Sequence, residues 1–473
     1  MDRAGYLYKA FCRHFPYQAT SCQTALFHAL SAFLTSDDGD ILVVNGYAGT
    51  GKTSALASVV AAVEELSLPC VLLAPTGRSA KVLSLYAGHG AYTIHKHIYR
   101  QKSFGADGSG SFSLAPNKAR GTLFIVDEVS LIGSGSSSEG SVFGSGDLLA
   151  DLVAFVRAGT DCKLVLLGDD AQLPPVGLDA SPALSRDYMA QFGGVSFVSL
   201  TEVVRQASES GILMNATHLR QLLPFSSGGP LGLSVAGFPD ISRLSGGELL
   251  DTLSDAYARY GEDEVVVLCR SNKRAGRYNA GIRGQVLYRE EQLTRGEKLM
   301  VVKNHYLDGS AELEGTDYIA NGDIGTLVWI RHFEERYGLH FADACISFPD
   351  YGDQEVEMKV LLDTLTSDAP SLSYAESQAL WQGVWADYDH ITTKKKRFEA
   401  VREDPYYSAL QIKYAHAITT HKAQGGQWQC VFIDNPFWQD VLTADDVKWL
   451  YTALTRAVSQ VYLVNFKDSL FAQ

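Results

Sequence analysis

At 473 residues the chain is longer than one hydrophobic core organises, so about three domains are expected. With 46% hydrophobic and 20% charged residues and no apolar run of about 18 residues, the composition reads as globular and argues against a membrane span. A net charge of −14 argues against coating nucleic acid by bulk attraction, yet it leaves room for a local basic groove.

Residues Met1–Tyr6 lack the apolar core of a signal peptide. The seven cysteines are scattered and form no C-x-x-C, so neither a disulfide framework nor a zinc site is expected, and a reducing, cytoplasmic compartment fits. Apolar runs then alternate with helical patterns. Strands are predicted over 41–45, 70–74, 123–126, 163–167 and 195–200. Continuous apolar strands joined by helices predict a parallel sheet buried on both faces.

The first strand ends in Gly46-Tyr47-Ala48-Gly49-Thr50-Gly51-Lys52-Thr53, followed by a helical pattern from Ser54. A Gly-rich loop with a terminal Lys-Thr between strand and helix is the context of a nucleotide P-loop. Glycines let backbone N–H groups turn around phosphate oxygens, and the helix adds its positive dipole end. Lys52 can reach the β/γ-phosphates and Thr53 can ligate Mg²⁺, so ATP and Mg²⁺ are the expected cofactors.

Asp127 and Glu128 follow the strand 123–126. The first carboxylate is assigned to Mg²⁺ and the second to the attacking water. Gln172, in Gly168-Asp169-Asp170-Ala171-Gln172-Leu173-Pro174-Pro175-Val176, is neutral and can bond both water and a γ-phosphate. Two segments interrupt the pattern. Residues 105–113 read as a hairpin tip between Phe104 and Phe112, and 133–146 as a loop.

Ser226–Pro230 marks a candidate boundary. A second α/β unit starts at 264–268 and resumes at 430–433 and 461–464, while 325–330, 344–348 and 356–361 read as strands of a β-rich insert. Pro349-Asp350 with Glu357-Met358-Lys359 imitates a nuclease signature, but its second part lies in an alternating strand and reads as a solvated face. The run Lys394-Lys395-Lys396-Arg397 reads first as a solvated helix flank.

The P-loop, Asp-Glu-Val-Ser at 127–130, the 168–176 segment, Thr-Thr-His-Lys-Ala-Gln-Gly at 419–425 and Tyr-Thr-Ala-Leu-Thr-Arg-Ala at 451–457 occur in the order of superfamily 1 helicases. The segments 74–81, 93–95 and 202–206 resemble the RecD/Dda branch, superfamily 1B. The resemblance covers roughly residues 15–206 and 265–466. It implies an α/β fold of two RecA-like parallel-sheet domains, with a small hairpin insert in the first and a β-rich SH3-like insert in the second. The expected limits are 1–93 and 123–225 for the first domain, 94–122 for the hairpin or pin, 226–305 and 411–473 for the second domain, and 306–410 for the SH3-like insert.

For the nucleotide, the resemblance implies Gln23 on adenine and Gly46, Ala48, Gly49, Thr50, Gly51, Lys52, Thr53 and Ser54 around the phosphates. Gln424 and Gly425 come from the second domain, Arg205 and Arg456 reach the γ-phosphate, and Thr53 and Asp127 hold the metal. For DNA it implies Thr76, Arg78, Lys81, Thr93, His95 and Lys96 on the first domain, and Thr420, His421 and Lys422 on the second. Phe104 and Phe112 are candidate wedges, and Asn272 and Asn321 are either turn or DNA-contact residues. The expected activity is ATP-driven 5′ to 3′ translocation on single-stranded DNA and unwinding of duplexes with a 5′ tail, by a monomer open to partner proteins, in DNA repair, replication or recombination. A poorly unwinding translocase, a motor subunit of a nuclease complex and an RNA helicase are the alternatives.

Overall fold

The run Ile41–Val44 is buried throughout, and its side chains alternate between two cores. Leu42 and Val44 pack with Leu26, Phe27 and Val59 on one face. Ile41 and Val43 pack with Leu149, Leu152 and Phe155 on the other. A strand covered on both faces needs apolar residues at every position, which is why it reads as a run rather than an alternation. The computed structural model describes residues 2–104, 110–133, 144–203, 210–223, 231–307, 318–439 and 442–472.

The first sheet has six strands, in the order Ala91–Thr93, Cys70–Ala74, Leu123–Val126, Lys163–Gly168, Ile41–Gly46 and Val195–Leu200. All neighbours are parallel. Every carboxyl end therefore emerges along one edge, where crevices form in open α/β sheets. The P-loop, Asp127 and the 168–176 segment all leave from that edge.

After the short helix Ile94–Ile98, the antiparallel strands Tyr99–Phe104 and Gly110–Leu114 form the expected hairpin, with an irregularity between Gln101 and Ser103. Its tip, 105–109, lies outside the described residues, as do most of the expected loop (134–143), the boundary Ser226–Pro230 and Arg205. Tyr99 roots the hairpin: it is buried, and its hydroxyl donates to Asp151 over 2.7 Å.

The second sheet orders Ala417–Thr419, Val265–Cys269, Trp428–Asp434, Ala457–Val464 and Ile241–Leu244, again all parallel. These are the two RecA-like domains. The helix Gly211–Leu222 lies within the stretch expected for the first domain, but Ile212, Ala216 and Leu219 join the core of the second sheet.

Five strands close a small SH3-like barrel: Lys298–Val301, Ile324–Arg336, Leu339–Phe348, Gln354–Leu361 and Leu410–Tyr414. Its first strand lies before the expected 306–410 span, and its last runs from the end of that span into 411–414. Closure requires Leu299 to pair with Tyr414, a long-range contact with no local signature.

Between the last two barrel strands, the helices Tyr374–Asp387 and Lys394–Glu403 pack Trp381 against Trp385 and Phe398, and Tyr407 beyond them meets the same ring edge-on. The charged run divides there. Lys394, Lys395 and Lys396 are exposed, whereas Arg397 turns inward onto the Trp385 ring and carbonyl. Lys359, part of the nuclease-like pattern, is engaged by Glu334 and Asp343. Among the described residues no helix is long and apolar enough to cross a membrane.

Candidate nucleotide and DNA site

The P-loop is built by close backbone approach. A Cβ on Gly46 would lie 2.5 Å from Cγ of Lys52, so a side chain there would push the lysine stem aside. Gly49 and Gly51 take φ of 75° and 74°, the left-handed region where a Cβ is strained. The helix Lys52–Glu65 starts at once, aiming its N-terminal N–H groups and dipole at the loop. Lys52 Nζ donates to the Gly168 carbonyl over 3.3 Å, across the end of the neighbouring strand.

Gln23 sits behind the loop and is buried. Its Oε1 accepts from Thr20 N–H over 2.9 Å, completing the capping box of the helix Ser21–Thr35. Its Nε2 donates to the Thr50 carbonyl, also over 2.9 Å. The residue expected on adenine thus ties the start of its own helix to the P-loop, one end of its amide on Thr20 and the other on Thr50.

Asp127 and Glu128 leave the strand Leu123–Val126 side by side. Glu128 has φ 55°, and its N–H donates to Asp127 Oδ1 over 2.8 Å. Burial pushes the Asp127 carboxyl up to about 6, the Glu128 charge adds to this, and Lys52 opposes it. Glu128 Oε2, Ser130 Oγ and Gln172 Oε1 are buried with no hydrogen-bond partner among the described residues. Adjacent half-buried carboxylates, one with an orphaned buried oxygen, beside Thr53 are a donor set that fits a hard divalent cation and a water.

Thr53, Asp127 and Glu128 line one side of a cleft whose other side carries Gly425, Gln427 and Arg456 from the second domain. Arg456 is buried; its Nε donates to the Thr452 carbonyl over 3.2 Å and its Nη1 to the Gly426 carbonyl over 3.3 Å. Gln424 Nε2 donates to the Leu173 carbonyl over 2.8 Å. Gly425 has φ 77°, and a Cβ on it would fall 1.9 Å from Ser79 Oγ, so no other residue fits this contact.

Two second-domain hydroxyls reach further than the sequence reading foresaw. The Tyr451 hydroxyl donates to Asp169 over 2.7 Å and accepts from the P-loop N–H of Ala48 over 2.9 Å. Thr452 Oγ1 accepts from Leu173 N–H over 2.8 Å. Only adjacency to Arg456 in the 451–457 segment pointed to these residues.

The candidate DNA residues divide by role. Thr76 and Thr93 cap the helices Gly77–Ala87 and Ile94–Ile98 by accepting from Ser79 and Lys96 N–H. The Arg78 guanidinium lies 4.1 Å from the centre of the Trp428 ring, which joins the two domains. Lys81 donates to the Pro349 carbonyl and Lys422 to Asn321, both on the barrel side. Burial lowers the Lys422 ammonium to about 8 and His95 to about 4, so His95 is neutral at physiological pH; His421 is lowered in the same way.

Lys96 Nζ lies 5.9 Å from the centre of the Tyr92 ring, and Thr420 is fully buried with Oγ1 unpartnered among the described residues. Asn272 opens the helix Asn272–Gly281 behind its Ser271 cap. Phe112 is half-buried against the first-domain core. The Phe104 side chain lies outside the described residues.

A family model described as an AAA domain matches residues 23–221, and one described as a UvrD-like helicase C-terminal domain matches 414–464. The ATP-dependent RecD2 DNA helicase of Deinococcus radiodurans is 34% identical over 176 residues, 37% of this chain and 21% of that protein. An uncharacterized protein of Methanocaldococcus jannaschii is 21% identical over 466 residues, covering 89% of this chain and 36% of that protein. The chain thus spans only about a fifth to a third of these two relatives. The ATP-dependent DNA helicase dda of Enterobacteria phage T4 is 25% identical over 457 residues, 89% of this chain and 94% of that protein. Among solved structures, a Pif1 helicase from Bacteroides in complex with ADP-AlF3 and ssDNA aligns with TM-score 0.49 at 16% identity, covering 97% of this chain and 95% of that one.

Proposed function

We propose that this chain is a RecD/Dda-like superfamily 1B P-loop helicase, an ATP-dependent DNA helicase that moves 5′ to 3′ along single-stranded DNA; the matches to an AAA domain, to a UvrD-like helicase C-terminal domain and to named DNA helicases support this reading. The observation that carries the reading is the cleft itself. The P-loop Thr53 and the Asp127–Glu128 pair face a buried arginine from a second domain, and the same interface joins the DNA motifs around Arg78 and Gly425.

Lys52 and the N–H groups of residues 49–53 bind the triphosphate. Thr53 and Asp127 would hold Mg²⁺, which would supply charge neutralisation at the phosphates. Glu128 orients and deprotonates the attacking water through its unpartnered oxygen, and Gln172 senses the γ-phosphate. Arg456 meets the charge that grows as the γ-phosphoryl group leaves, with Arg205 as the second arginine. Closure of the cleft on ATP and its opening on hydrolysis move the two sets of DNA contacts past each other. The domain limits given above, shifted to Lys298 and Tyr414 for the barrel, belong to this reading.

Hydrolysis by the purified chain with Mg²⁺ is expected to rise at least about tenfold with single-stranded DNA, and Lys52→Ala to abolish it while DNA binding persists. A duplex with only a 5′ tail should unwind and one with only a 3′ tail should not. Turnover indifferent to DNA would refute the coupling. Unwinding confined to the 3′-tailed duplex would overturn the direction alone.

A further inference from the structure

We propose that Tyr451 and Thr452 are positioning residues that set the register of Arg456 against the γ-phosphate site, an inference that rests on the finger role given to Arg456 above. The last turn of the helix Ala444–Leu454 is held to the first domain at two successive residues. Tyr451 is fixed through its hydroxyl to Asp169 and to the P-loop N–H of Ala48, at 2.7 and 2.9 Å. Thr452 is fixed through Oγ1 to Leu173 N–H, at 2.8 Å, next to the γ-phosphate sensor Gln172. Arg456 then hangs from this turn, with Nε on the Thr452 carbonyl and Nη2 on Thr455 Oγ1.

All these groups except the half-buried Ala48 are buried, where an unmade hydrogen bond costs more than it does in water. The chain of contacts runs from the loop that binds phosphate, through Tyr451 and Thr452, to the guanidinium that meets the γ-phosphate. Tyr451 is the one second-domain residue recorded as bonding a P-loop N–H among the described residues. It can therefore carry the position of the loop to the finger without touching the reacting atoms. A finger displaced by about 1 Å loses its transition-state contact yet leaves substrate binding largely intact.

The test is a double-mutant cycle on DNA-stimulated hydrolysis with Tyr451→Phe, Arg456→Ala and both together. Tyr451→Phe keeps the ring and removes the hydroxyl. The expected result is a loss of about tenfold in kcat with KM for ATP moving less than about threefold. In the Arg456→Ala background the same change should cost less than about twofold, because the finger it registers is gone. Thr452→Val, which keeps the shape and deletes the bond to Leu173, should follow the same pattern and serves if Tyr451→Phe fails to fold.

An unchanged kcat, or a full tenfold loss that persists without Arg456, would overturn the proposal. Arg456→Ala with wild-type kcat would instead remove the finger role itself, and the registration with it.

Discussion

Glu128 shows how one residue's surroundings set its task. It lies in left-handed backbone, its own N–H is tied to Asp127, and one carboxylate oxygen is buried without a partner. In the proposed function this oxygen is the one that meets the attacking water. Glu128→Gln keeps the shape and loses the base, so nucleotide binding should persist while hydrolysis falls by about 10² to 10⁴. Single-turnover measurement with labelled ATP checks this, and normal turnover would remove Glu128 from the role.

Glu297 is buried too, but its environment acts the other way. Burial by itself would raise its carboxyl, and the bonds from His416 and Arg283 outweigh that and hold it down to about 2. Its folded value lies below the unfolded value of about 4.3, so its contribution is complete above that pH and is lost as pH falls toward 2. Glu297→Gln takes the carboxylate partner from the buried Arg283, while Arg289 keeps Glu262, and should destabilise by about 3 kcal/mol at pH 7. In urea melts the gap to wild type should close between pH 4.5 and 2. A gap independent of pH would place the loss in packing instead of charge.

At the scale of elements, the described part of the hairpin is held at its base by the first-domain core. Tyr99 and Phe112 pack at the base on the first-domain core. The two aromatic positions should therefore separate. Phe112→Ala should cost about 1–2 kcal/mol, less than the roughly 3–5 of a fully buried ring, and show as a lower Tm. Phe104→Ala, at the far end of its strand opposite Gly110, should slow unwinding of a 5′-tailed duplex while DNA-stimulated hydrolysis survives. If both activities fall together in Phe104→Ala, the wedge lies elsewhere.

The whole molecule is a junction of three bodies. Gly425 lies against Ser79 and Arg78 on Trp428, which joins the two sheets' domains; Lys81 on Pro349 and Lys422 on Asn321 bring in the barrel. Both lysines lie where the segments proposed to contact DNA converge. If each also meets a backbone phosphate, Lys81→Ala and Lys422→Ala should each weaken single-strand binding at all sequences. Each should also flatten the log Kd against log salt slope by about 0.7. Fluorescence titrations between 50 and 200 mM salt would measure this; an unchanged slope would assign the lysines to the barrel contacts alone.

What the sequence determined by itself is the part written in short stretches of chain. The strand, glycines and Lys-Thr of 41–53, the acids at 127–128 and five of the six strands of the first sheet all depend on local periodicity and on backbone freedom at Gly49 and Gly51. Parallel strands then bring their carboxyl ends to one edge without further instruction.

Only the tertiary structure decided what crosses hundreds of residues. It gave the helix Gly211–Leu222 to the second core, closed the barrel by pairing Leu299 with Tyr414, turned Gln23 onto the P-loop, and brought the Tyr451 hydroxyl to Ala48 and Asp169. A hydroxyl or an amide has no periodicity of its own. Its partner is set by the packing of whole domains, and that is where the wiring of the candidate nucleotide site resides.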